Sequence, residues 1–384
     1  MKAGLYFHIP FCLKKCAYCD FYSIPAEQSL IERFLNACYI EIELYAEHPI
    51  FSQAEFQTVY FGGGTPSLLS VKLIDRLIQQ IQNIFKLVEN FELTLEANPE
   101  TLSITKLTDY YSIGINRLSI GIQSFSSSEL KLLGRIHKLA QANKCIEWAY
   151  QAGFENINLD LIFAVPGQSL MDWQENVKQA IRFDPQHLSA YCLTIEHGTL
   201  LEKQVASGKL IKVNDETERE MYLSAIDTLT TAGYQQYEIS NFALPGFKCK
   251  HNLMYWNGSP YLGIGPSAHS FWNEHRQWNV DSINHYLQSL KDGNKPIAGQ
   301  EILSPDQQLL EFIYLNLRTT GGIDLQQFEN RFHIPFLKRF NKVVDKLQNN
   351  QDGELYHCKG NRFILTPPGL VLFDEICQYF ADEI

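Results

Sequence analysis

The chain has 384 residues and a formal net charge of −11, and 45% of its residues are hydrophobic while 20% are charged. This composition is typical of a folded globular protein and excludes wholesale disorder, and the length allows a large domain with a smaller one attached. The acidic balance argues against nucleic acid as a partner, because phosphate binding requires clustered Lys and Arg.

The N-terminal segment carries only a short apolar run, interrupted by His8 and Pro10. Such a run suits neither a signal peptide nor a membrane span, so we expect a cytoplasmic protein. Cys12, Cys16 and Cys19, three of nine cysteines, lie within eight residues. They are too close for ordinary disulfide geometry, and the pattern is typical of a reducing compartment where thiolates hold metals.

Up to about residue 235, short runs rich in Val, Ile, Leu, Phe or Tyr alternate with longer stretches of helical period. The short runs are predicted to be strands because they are bounded by turn residues and rich in β-formers. They cover Gly4–Ile9, Phe56–Phe61, Phe91–Glu96, Ile115–Ile122, Asn156–Phe163 and His187–Ile195.

The intervening stretches repeat apolar residues every three to four positions and are predicted to be helices. They cover Glu27–Ala46, Ser70–Phe85, Ser103–Tyr111, Leu139–Ala152, Leu170–Phe183 and Asp215–Ala232. Six βα units with right-handed crossovers build a parallel sheet that curls toward a barrel, whereas a closed barrel needs eight units. We therefore predict an open, partial (β/α)6 barrel over residues 1–235, with its ligand site at the carboxyl ends of the strands.

Residues 236–303 form a connecting region whose Gly, Pro, Asn and aromatic residues show no assignable period. Helical patterns return after Ser304, with a hairpin near the end, and predict a mainly helical, winged-helix-like domain over residues 304–384. Its predicted helices cover Asp306–Leu317, Asp324–Phe332, Pro335–Asn349 and Pro368–Phe380, and its hairpin joins Leu355–His357 to Arg362–Leu365. Eight Lys and Arg against eleven Asp and Glu in this domain favour a structural or partner-facing lid over DNA binding.

The three clustered cysteines follow the first predicted strand, where one loop can fold three thiolates around a metal centre. Soft thiolates select iron–sulfur clusters, zinc or copper(I). Zinc requires a fourth Cys or His at short spacing, and the next candidates are Cys38 in a helix and His8 in a strand. The pattern favours a [4Fe–4S] cluster with one open iron, with a zinc-stabilised interaction protein as an alternative.

Polar residues follow or end several predicted strands. The run Gly62–Pro66 follows the second strand, Glu96 ends the third, Gln123 ends the fourth, Asp160 lies in the fifth, and Arg135 is available to pair with a carboxylate. A single polar residue of this kind is usually satisfied by a hydrogen bond inside the barrel. Several at one end indicate a ligand with ribose hydroxyls and polar head groups.

The cysteine motif, with the aromatic Tyr18 before its last cysteine, resembles that of the radical S-adenosylmethionine (radical SAM) superfamily. In that superfamily the open iron is chelated by the amino and carboxylate groups of S-adenosylmethionine, and the Gly-Gly-Gly-Thr-Pro run is similar to a second superfamily element. The resemblance implies that Tyr18 flanks the cluster. It also implies that S-adenosylmethionine is contacted by Tyr6, Gly63, Gly64, Thr65, Glu96, Gln123, Arg135 and Asp160.

The segments Tyr6–Cys12, Gly121–Phe125 and Gly134–His137 resemble oxygen-independent coproporphyrinogen III oxidase and its relatives. That oxidase carries a fourth Cys two positions after the third, where this chain has Phe21, and a long extension before its cluster loop. In both respects this chain is more similar to the HemW-type heme chaperones, which are relatives of the oxidase.

The segment His251–Trp256 resembles the HNxxYW heme-binding motif of those chaperones. A neutral imidazole is a common axial ligand of heme iron, and Tyr and Trp can stack on a porphyrin. His251 is therefore a candidate ligand, with Cys249 as the alternative and a purely structural buried histidine as the other interpretation. Tyr261–Ser270 also looks like the family, and its small residues suit a close approach to a flat ligand or to the cofactor, with no role assigned to His269.

The resemblance implies a heme chaperone that binds heme and delivers it to an apo-hemoprotein acceptor, for example a respiratory enzyme. It carries a [4Fe–4S] cluster and S-adenosylmethionine without oxidase activity, and a homodimer and indirect membrane association through the acceptor are compatible with it. The alternative is the oxidase itself, which decarboxylates coproporphyrinogen III to protoporphyrinogen IX by radical chemistry.

Overall fold

The computed structural model describes residues 1–350 and 353–384. Its strands, in chain order, are β1 (Lys2–Ile9), β2 (Phe11–Cys12), β3 (Ile24–Pro25), β4 (Glu55–Gly63), β5 (Lys86–Ala97), β6 (Arg117–Gln123), β7 (Ile157–Phe163), β8 (His187–Cys192), β9 (Gln235–Gln236), β10 (Asn241–Ala243), β11 (Tyr261–Ile264), β12 (His269–Trp272), β13 (His275–Asn279), β14 (Ile297–Ile302), β15 (Ile323–Asp324), β16 (Tyr356–Lys359) and β17 (Arg362–Leu365).

The helices surround the sheet and build the C-terminal part of the chain. In chain order they are α1 (Gln28–Ala46), α2 (Val71–Ile84), α3 (Ile104–Ser112), α4 (Ser127–Leu133), α5 (Leu139–Gln151), α6 (Leu170–Ile181), α7 (Leu200–Ala206), α8 (Asp215–Thr231), α9 (Lys250–Trp256), α10 (Ile283–Lys291), α11 (Pro305–Leu317), α12 (Leu325–Phe332), α13 (Phe336–Arg339), α14 (Asn341–Gln348), α15 (Pro367–Val371) and α16 (Phe373–Ala381).

Twelve strands of the described ranges form one sheet in the order β14-β13-β12-β11-β1-β4-β5-β6-β7-β8-β10-β9. Strands β1, β4, β5, β6, β7 and β8 are parallel and lie side by side in chain order, as the six predicted units require. The two edge strands of the sheet, β14 and β9, do not pair with each other in the described ranges. The predicted open, partial barrel is confirmed.

Strand β1 shows how the sequence sets the two faces of this sheet. Ala3, Leu5, Phe7 and Ile9 alternate along it and are fully buried in the main hydrophobic core. The ring of Tyr6, between them, lies on the other face, next to residues of the barrel interior. Successive side chains of a strand point to opposite faces. The apolar row therefore packs under the helices, while the alternate residues, including Tyr6, face the barrel interior.

The connecting region, which showed no assignable period, completes the sheet on both sides. Strand β11 pairs in parallel with β1, and β12, β13 and β14 continue from it as an antiparallel meander. On the other side, β10 pairs antiparallel with β8. The strand that leads into the cysteine loop is therefore an interior strand of the sheet.

Glu41 on α1 fastens the connecting region to the barrel. Its fully buried carboxylate accepts hydrogen bonds from the Gly265 amide at 2.9 Å, the Asn279 side-chain amide at 2.6 Å and the Tyr286 hydroxyl at 2.6 Å. Burial raises the pKa of Glu41 to about 7, although these donors favour the ionised form. One acidic side chain thus joins α1, the turn after β11, the end of β13 and α10.

The C-terminal residues form helices and a three-stranded antiparallel sheet of order β15-β17-β16. The prediction of a single helix over Pro335–Asn349 is wrong. The chain leaves helical geometry at Phe340 (φ −114°, ψ 32°), which separates this segment into α13 and α14. The break lets the rings of Phe336 and Phe340 both pack against Phe380. The last predicted helix is also divided, at Leu372, into α15 and α16.

An ion pair with a buried carboxylate links the C-terminal part to the start of the connecting region. Arg318, which follows α11, donates from Nε to the carboxylate of Glu238 at 3.1 Å, and the Glu238 side chain is completely buried. The Arg318 guanidinium also lies 4.6 Å from the ring centre of Trp256.

Within residues 1–350 and 353–384, no helix combines the length and the apolar character that crossing a membrane demands.

Candidate functional site

A cavity of about 410 Å³ lies at the carboxyl ends of the parallel strands. It brings together all the predicted site residues except Tyr6 and His251. Those that line it are Cys12, Cys16, Tyr18, Cys19, Gly63, Gly64, Thr65, Glu96, Gln123, Arg135 and Asp160. Because these residues come from β2, β4, β5, β6, β7 and the loops that follow them, the fold assembles the site from distant parts of the chain.

The three cysteines line the floor of this cavity as partly exposed free thiols. The Thr65 hydroxyl lies 3.6 Å from the sulfur of Cys12 and Arg135 Nη1 lies 3.5 Å from the sulfur of Cys16, so both are placed to donate to thiolates. Burial raises the pKa of Cys12 and raises that of Cys19 to about 11. Thiols of this kind ionise when a metal binds them.

No three His, Cys, Asp or Glu side chains in the described ranges surround a position for a single metal ion. Thiolates of an iron–sulfur cluster bind separate irons, so they need not converge on one point. The spacing of the three cysteines along one open loop fits that arrangement.

The glycine run after β4 brings the backbone close to the cysteine loop. Gly63 has φ 108°, and a Cβ there would lie 2.7 Å from the ring of His8. A Cβ on Gly64 would lie 2.8 Å from the carbonyl oxygen of Phe11. Only glycine therefore fits at either position, and the backbone edge of the run borders the cavity.

Glu96, at the end of β5, is held by two donors. The Tyr60 hydroxyl donates to it at 2.8 Å and the Gly63 amide at 3.1 Å. Burial, with a smaller effect of Asp160, raises the pKa of Glu96 to about 7. Its carboxyl group is thus oriented toward the cavity and ready to change ionisation near neutral pH.

Asp160 ends a hydrogen-bonded row across the barrel interior. Its carboxylate accepts from the Ser119 hydroxyl at 3.0 Å and from the Asn158 amide at 2.8 Å, and Asn158 contacts His187 Nδ1 at 2.6 Å. Burial raises the pKa of Asp160. The barrel interior is therefore polar at this point, and these hydrogen bonds hold the Asp160 carboxylate at the cavity wall.

Arg135 and Asn98 connect the two halves of the cavity. Arg135 Nη2 donates to the Asn98 side-chain oxygen at 2.6 Å and to the Gly121 carbonyl at 2.9 Å, and the Asn98 amide donates to Thr65 at 3.0 Å. Sequence reasoning missed Asn98, although it follows Glu96 by two positions at the end of the same strand. A polar residue directly after a predicted strand, two positions from Glu96, is the sequence feature that could have identified Asn98.

Two of the predicted site residues carry polar groups without a hydrogen-bond partner in the described part of the chain. Arg135 Nε is buried without a hydrogen bond, and the side chain of Gln123 makes none within the described residues. Gln123 also has φ 65° at a register shift between β6 and β7, a strained geometry for a residue other than glycine. Unpaired polar groups at a cavity wall are suited to a polar ligand, so the residues present fit a cofactor with hydroxyl, amino and carboxylate groups.

His251 lies on α9, does not line this cavity and is 2% exposed, although Tyr60, on which its ring stacks, does line it. Its Nδ1 lies 2.7 Å from the Thr58 hydroxyl and its Nε2 lies 2.9 Å from the Tyr255 hydroxyl, and its ring stacks on Tyr60 with centres 4.9 Å apart. Burial, aided by the charge of Arg117, lowers the pKa of His251 to about 3. Both ring nitrogens of this neutral imidazole are engaged inside the protein.

Cys249, the alternative heme ligand, is also buried. It precedes α9 and lies beside Glu92, whose carboxylate accepts from the amides of Lys250 at 3.0 Å and His251 at 3.1 Å. Burial raises the pKa of Cys249 to about 12. The start of α9 is thus anchored by Glu92 of β5. The Cys249 thiol stays protonated at neutral pH.

Tyr6 lines a second cavity of about 410 Å³ on the other side of the cysteine loop. Its hydroxyl lies 3.2 Å from His8 Nδ1. A third cavity, of about 660 Å³, lies between the connecting region and the helices α11 and α16, and has mainly apolar walls. Its walls include Tyr255 and Trp256 of the predicted heme motif and none of the other predicted site residues.

Comparisons with known proteins agree on one family. Residues 6–180 match the model of the radical SAM superfamily, and residues 303–372 match that of the HemN C-terminal domain. The chain is 34% identical over 385 residues to heme chaperone HemW of Bacillus subtilis, with complete coverage of both chains. It is 40% identical over 391 residues to heme chaperone HemW of Haemophilus influenzae, covering 99% of this chain and 98% of that one.

Among solved structures, coproporphyrinogen III oxidase (HemN) from Escherichia coli has a TM-score of 0.84 with 23% sequence identity. The alignment covers 100% of this chain and 90% of that one, and it supports the fold. Full-length identity above 30% to several HemW proteins is the more specific finding. The chain therefore belongs to the HemW family of the radical SAM superfamily.

Proposed function

We propose that this protein is a heme chaperone, which binds heme and delivers it to an apo-hemoprotein. The observation that carries the proposal is the full-length 34% identity to a relative named heme chaperone, with both chains completely covered. The convergence of the radical SAM residues on one cavity supports a role for the cluster and its cofactor in the same protein.

In this proposal Cys12, Cys16 and Cys19 hold a [4Fe–4S] cluster, and S-adenosylmethionine occupies the cavity above it. When bound, the cluster supplies a redox-active iron with an open coordination site. Thr65 and Arg135 stabilise the thiolates through the contacts at 3.6 and 3.5 Å. Tyr18 flanks the cluster from its position in the same loop.

The remaining wall residues orient the cofactor. Glu96 and Asp160 would accept hydrogen bonds from its amino and hydroxyl groups, and Gln123 and the free Nε of Arg135 would donate to it. The edge formed by Gly63 and Gly64 lets the cofactor approach the backbone. The contact of Tyr6 with the cofactor, the acceptor protein, the homodimer, the membrane association and the cytoplasmic location stay predictions.

The test begins with anaerobic purification of the full chain and reconstitution with iron and sulfide. We expect iron and labile sulfide in the amounts of one [4Fe–4S] cluster, lost in Cys16→Ser and retained in Cys358→Ser, which changes an exposed cysteine outside the loop. Zinc without labile sulfide would support the interaction-protein alternative instead.

The reconstituted protein is then given hemin and, separately, coproporphyrinogen III with S-adenosylmethionine and a reductant. We expect stable uptake of heme, its transfer to an apo-hemoprotein, and no decarboxylation. Formation of protoporphyrinogen IX would overturn the chaperone proposal in favour of the oxidase. Failure of the protein to take up hemin would also contradict the chaperone proposal.

A further inference from the structure

The second cavity, on the other side of the cysteine loop, is built mainly from aromatic and imidazole side chains. It is lined by Tyr6, His8, Asp20, Phe21, Tyr22, Tyr255, Tyr261, Ser267 and His269. Its volume of about 410 Å³ lies within the roughly 300–1,000 Å³ that is usual for ligand sites. Asp20 and Phe21 also line the cofactor cavity, so the two cavities share one wall.

The walls suit a flat ring. Tyr255 and Tyr261 meet edge to face with centres 4.6 Å apart, and Phe21, which also lines the cavity, is 63% exposed. The exposed ring of Phe21 is accessible to a flat ligand in this cavity. Aromatic side chains with polar tips can pack on a macrocycle while remaining hydrated at the edge.

His269, at the start of β12, differs from His251 in being available. It is exposed, and within the described residues neither of its ring nitrogens has a hydrogen bond or ion pair; its ring stacks on Trp278 with centres 6.0 Å apart. An imidazole held by stacking, with a free nitrogen at a cavity, is equipped to bind a metal ion of a ligand. His251, by contrast, uses both nitrogens inside the protein.

The local backbone is arranged to bring His269 to this place. A Cβ on Gly263 would lie only 2.1 Å from the His269 carbonyl oxygen, so glycine permits the close pairing of β11 with β12. Ser267 has φ 62° in the turn between them. The glycine and small residues of this stretch, which had no assigned role, thus position one histidine at the cavity.

The third cavity, which shares Tyr255 and Tyr261 with the second, is less suited to heme iron. Its lining contains no histidine, and its one thiol, Cys377, is 6% exposed with a pKa that burial raises to about 12. Its charged wall residues are Arg276, Glu311 and Asp374, and Arg276 is already paired with Glu311.

We propose that His269 is the axial ligand of heme iron, with the porphyrin lying between the cysteine loop and the tyrosines of α9 and β11. This inference rests on the proposed function and names the place and ligand of the heme within it. It assigns His251 a structural role, in which it holds α9 against the barrel through Thr58 and Tyr255.

The test is hemin titration of the full-length chain, followed by Soret absorbance and electron paramagnetic resonance. We expect His269→Ala to weaken hemin binding at least tenfold and to lose the spectrum of imidazole-bound iron, with added imidazole restoring that spectrum. His285→Ala is the matched control, because His285 is equally exposed and equally free of side-chain partners but lies on α10. It should leave affinity and spectrum unchanged.

Three results would overturn the inference in different ways. An unchanged spectrum in His269→Ala would exclude His269 while leaving the chaperone proposal intact. Loss of the imidazole spectrum in a folded His251→Ala variant, with His269→Ala unaffected, would assign the iron to His251. No hemin uptake by the unaltered protein would contradict the proposed function itself.

Discussion

Glu96 is the acidic residue whose ionisation bears most directly on the cofactor cavity. Burial raises its pKa to about 7, so it is about half ionised at neutral pH. The ionised form attracts the cationic groups of S-adenosylmethionine more strongly than the neutral acid does. We expect the apparent affinity for the cofactor to increase about tenfold between about pH 6 and about pH 8, as the ionised fraction rises.

Calorimetric titration of S-adenosylmethionine at several pH values checks this. Because the cofactor carries titratable groups of its own, the informative quantity is the difference between the unaltered protein and Glu96→Gln. That variant should bind weakly with a flatter pH profile, whereas Glu89→Gln, on an exposed part of β5, should keep the full dependence. Identical profiles in all three proteins would be evidence against this role of Glu96.

Glu41 predicts a pH effect of another kind, on stability. Its pKa is about 7 in the folded chain against 4.5 for an ordinary glutamate, so the folded state keeps a proton that the unfolded state has released. The corresponding stabilisation is fully present below about pH 4.5 and is lost as the pH rises through about 7. The full loss is on the order of 3 kcal/mol.

Urea denaturation of the unaltered protein and of Glu41→Gln at several pH values measures this contribution. Glu41→Gln should be less stable, because an amide cannot accept all three hydrogen bonds, and its stability should fall less between about pH 5 and about pH 7, where the Glu41 contribution changes most. Parallel pH profiles would show that Glu41 is ionised in both states.

At the scale of elements, α9 depends on a residue of β5. The Glu92 carboxylate accepts from two amides at the first turn of α9, where helix amides lack internal partners. We expect Glu92→Gln to destabilise the protein by about 1–2 kcal/mol, measured by chemical denaturation, since it removes a charge that favours the helix start. The exposed Glu89→Gln should change stability by less than about 0.5 kcal/mol, and equal effects of the two would contradict the anchoring role.

The strands with continuous apolar character were predictable from sequence, and those of the connecting region were not. Strand β1 shows clear alternation, whereas β11 spans only Tyr261–Ile264 and gains its place by pairing with a strand more than 250 residues earlier. Local periodicity contains no information about such a partner. The break at Phe340 was missed for a similar reason, because helical spacing continues through it while tertiary packing of aromatic rings decides the geometry.

The site residues that could be predicted from the sequence are those whose residue type is needed for a particular chemical role. The cysteine triad, the glycine run and the acidic strand ends all meet at one cavity, as their positions after parallel strands imply. The contacts of Asn98 and the engagement of both His251 nitrogens could not be read from the sequence, because each depends on which strands face one another across the barrel.

At the scale of the whole molecule, Arg318 joins the C-terminal part to the start of the connecting region through Glu238. Arg318→Met would leave the Glu238 carboxylate buried without its cation, and we expect a loss of stability of about 3 kcal/mol in thermal or chemical denaturation. Arg182→Met removes an exposed pair with Glu175 and should cost less than about 1 kcal/mol. Equal losses would show that the Glu238 pair contributes no more than a surface contact.

The pairing of β1 with β11 also constrains the order in which the chain folds during synthesis. Strand β1 acquires β4 as a neighbour early, but its other edge stays open until Tyr261–Ile264 has left the ribosome. An unpaired strand edge invites association with other chains, and a contact of such long sequence separation forms slowly. The loop that carries the three cysteines is therefore flanked by its complete sheet only late in translation.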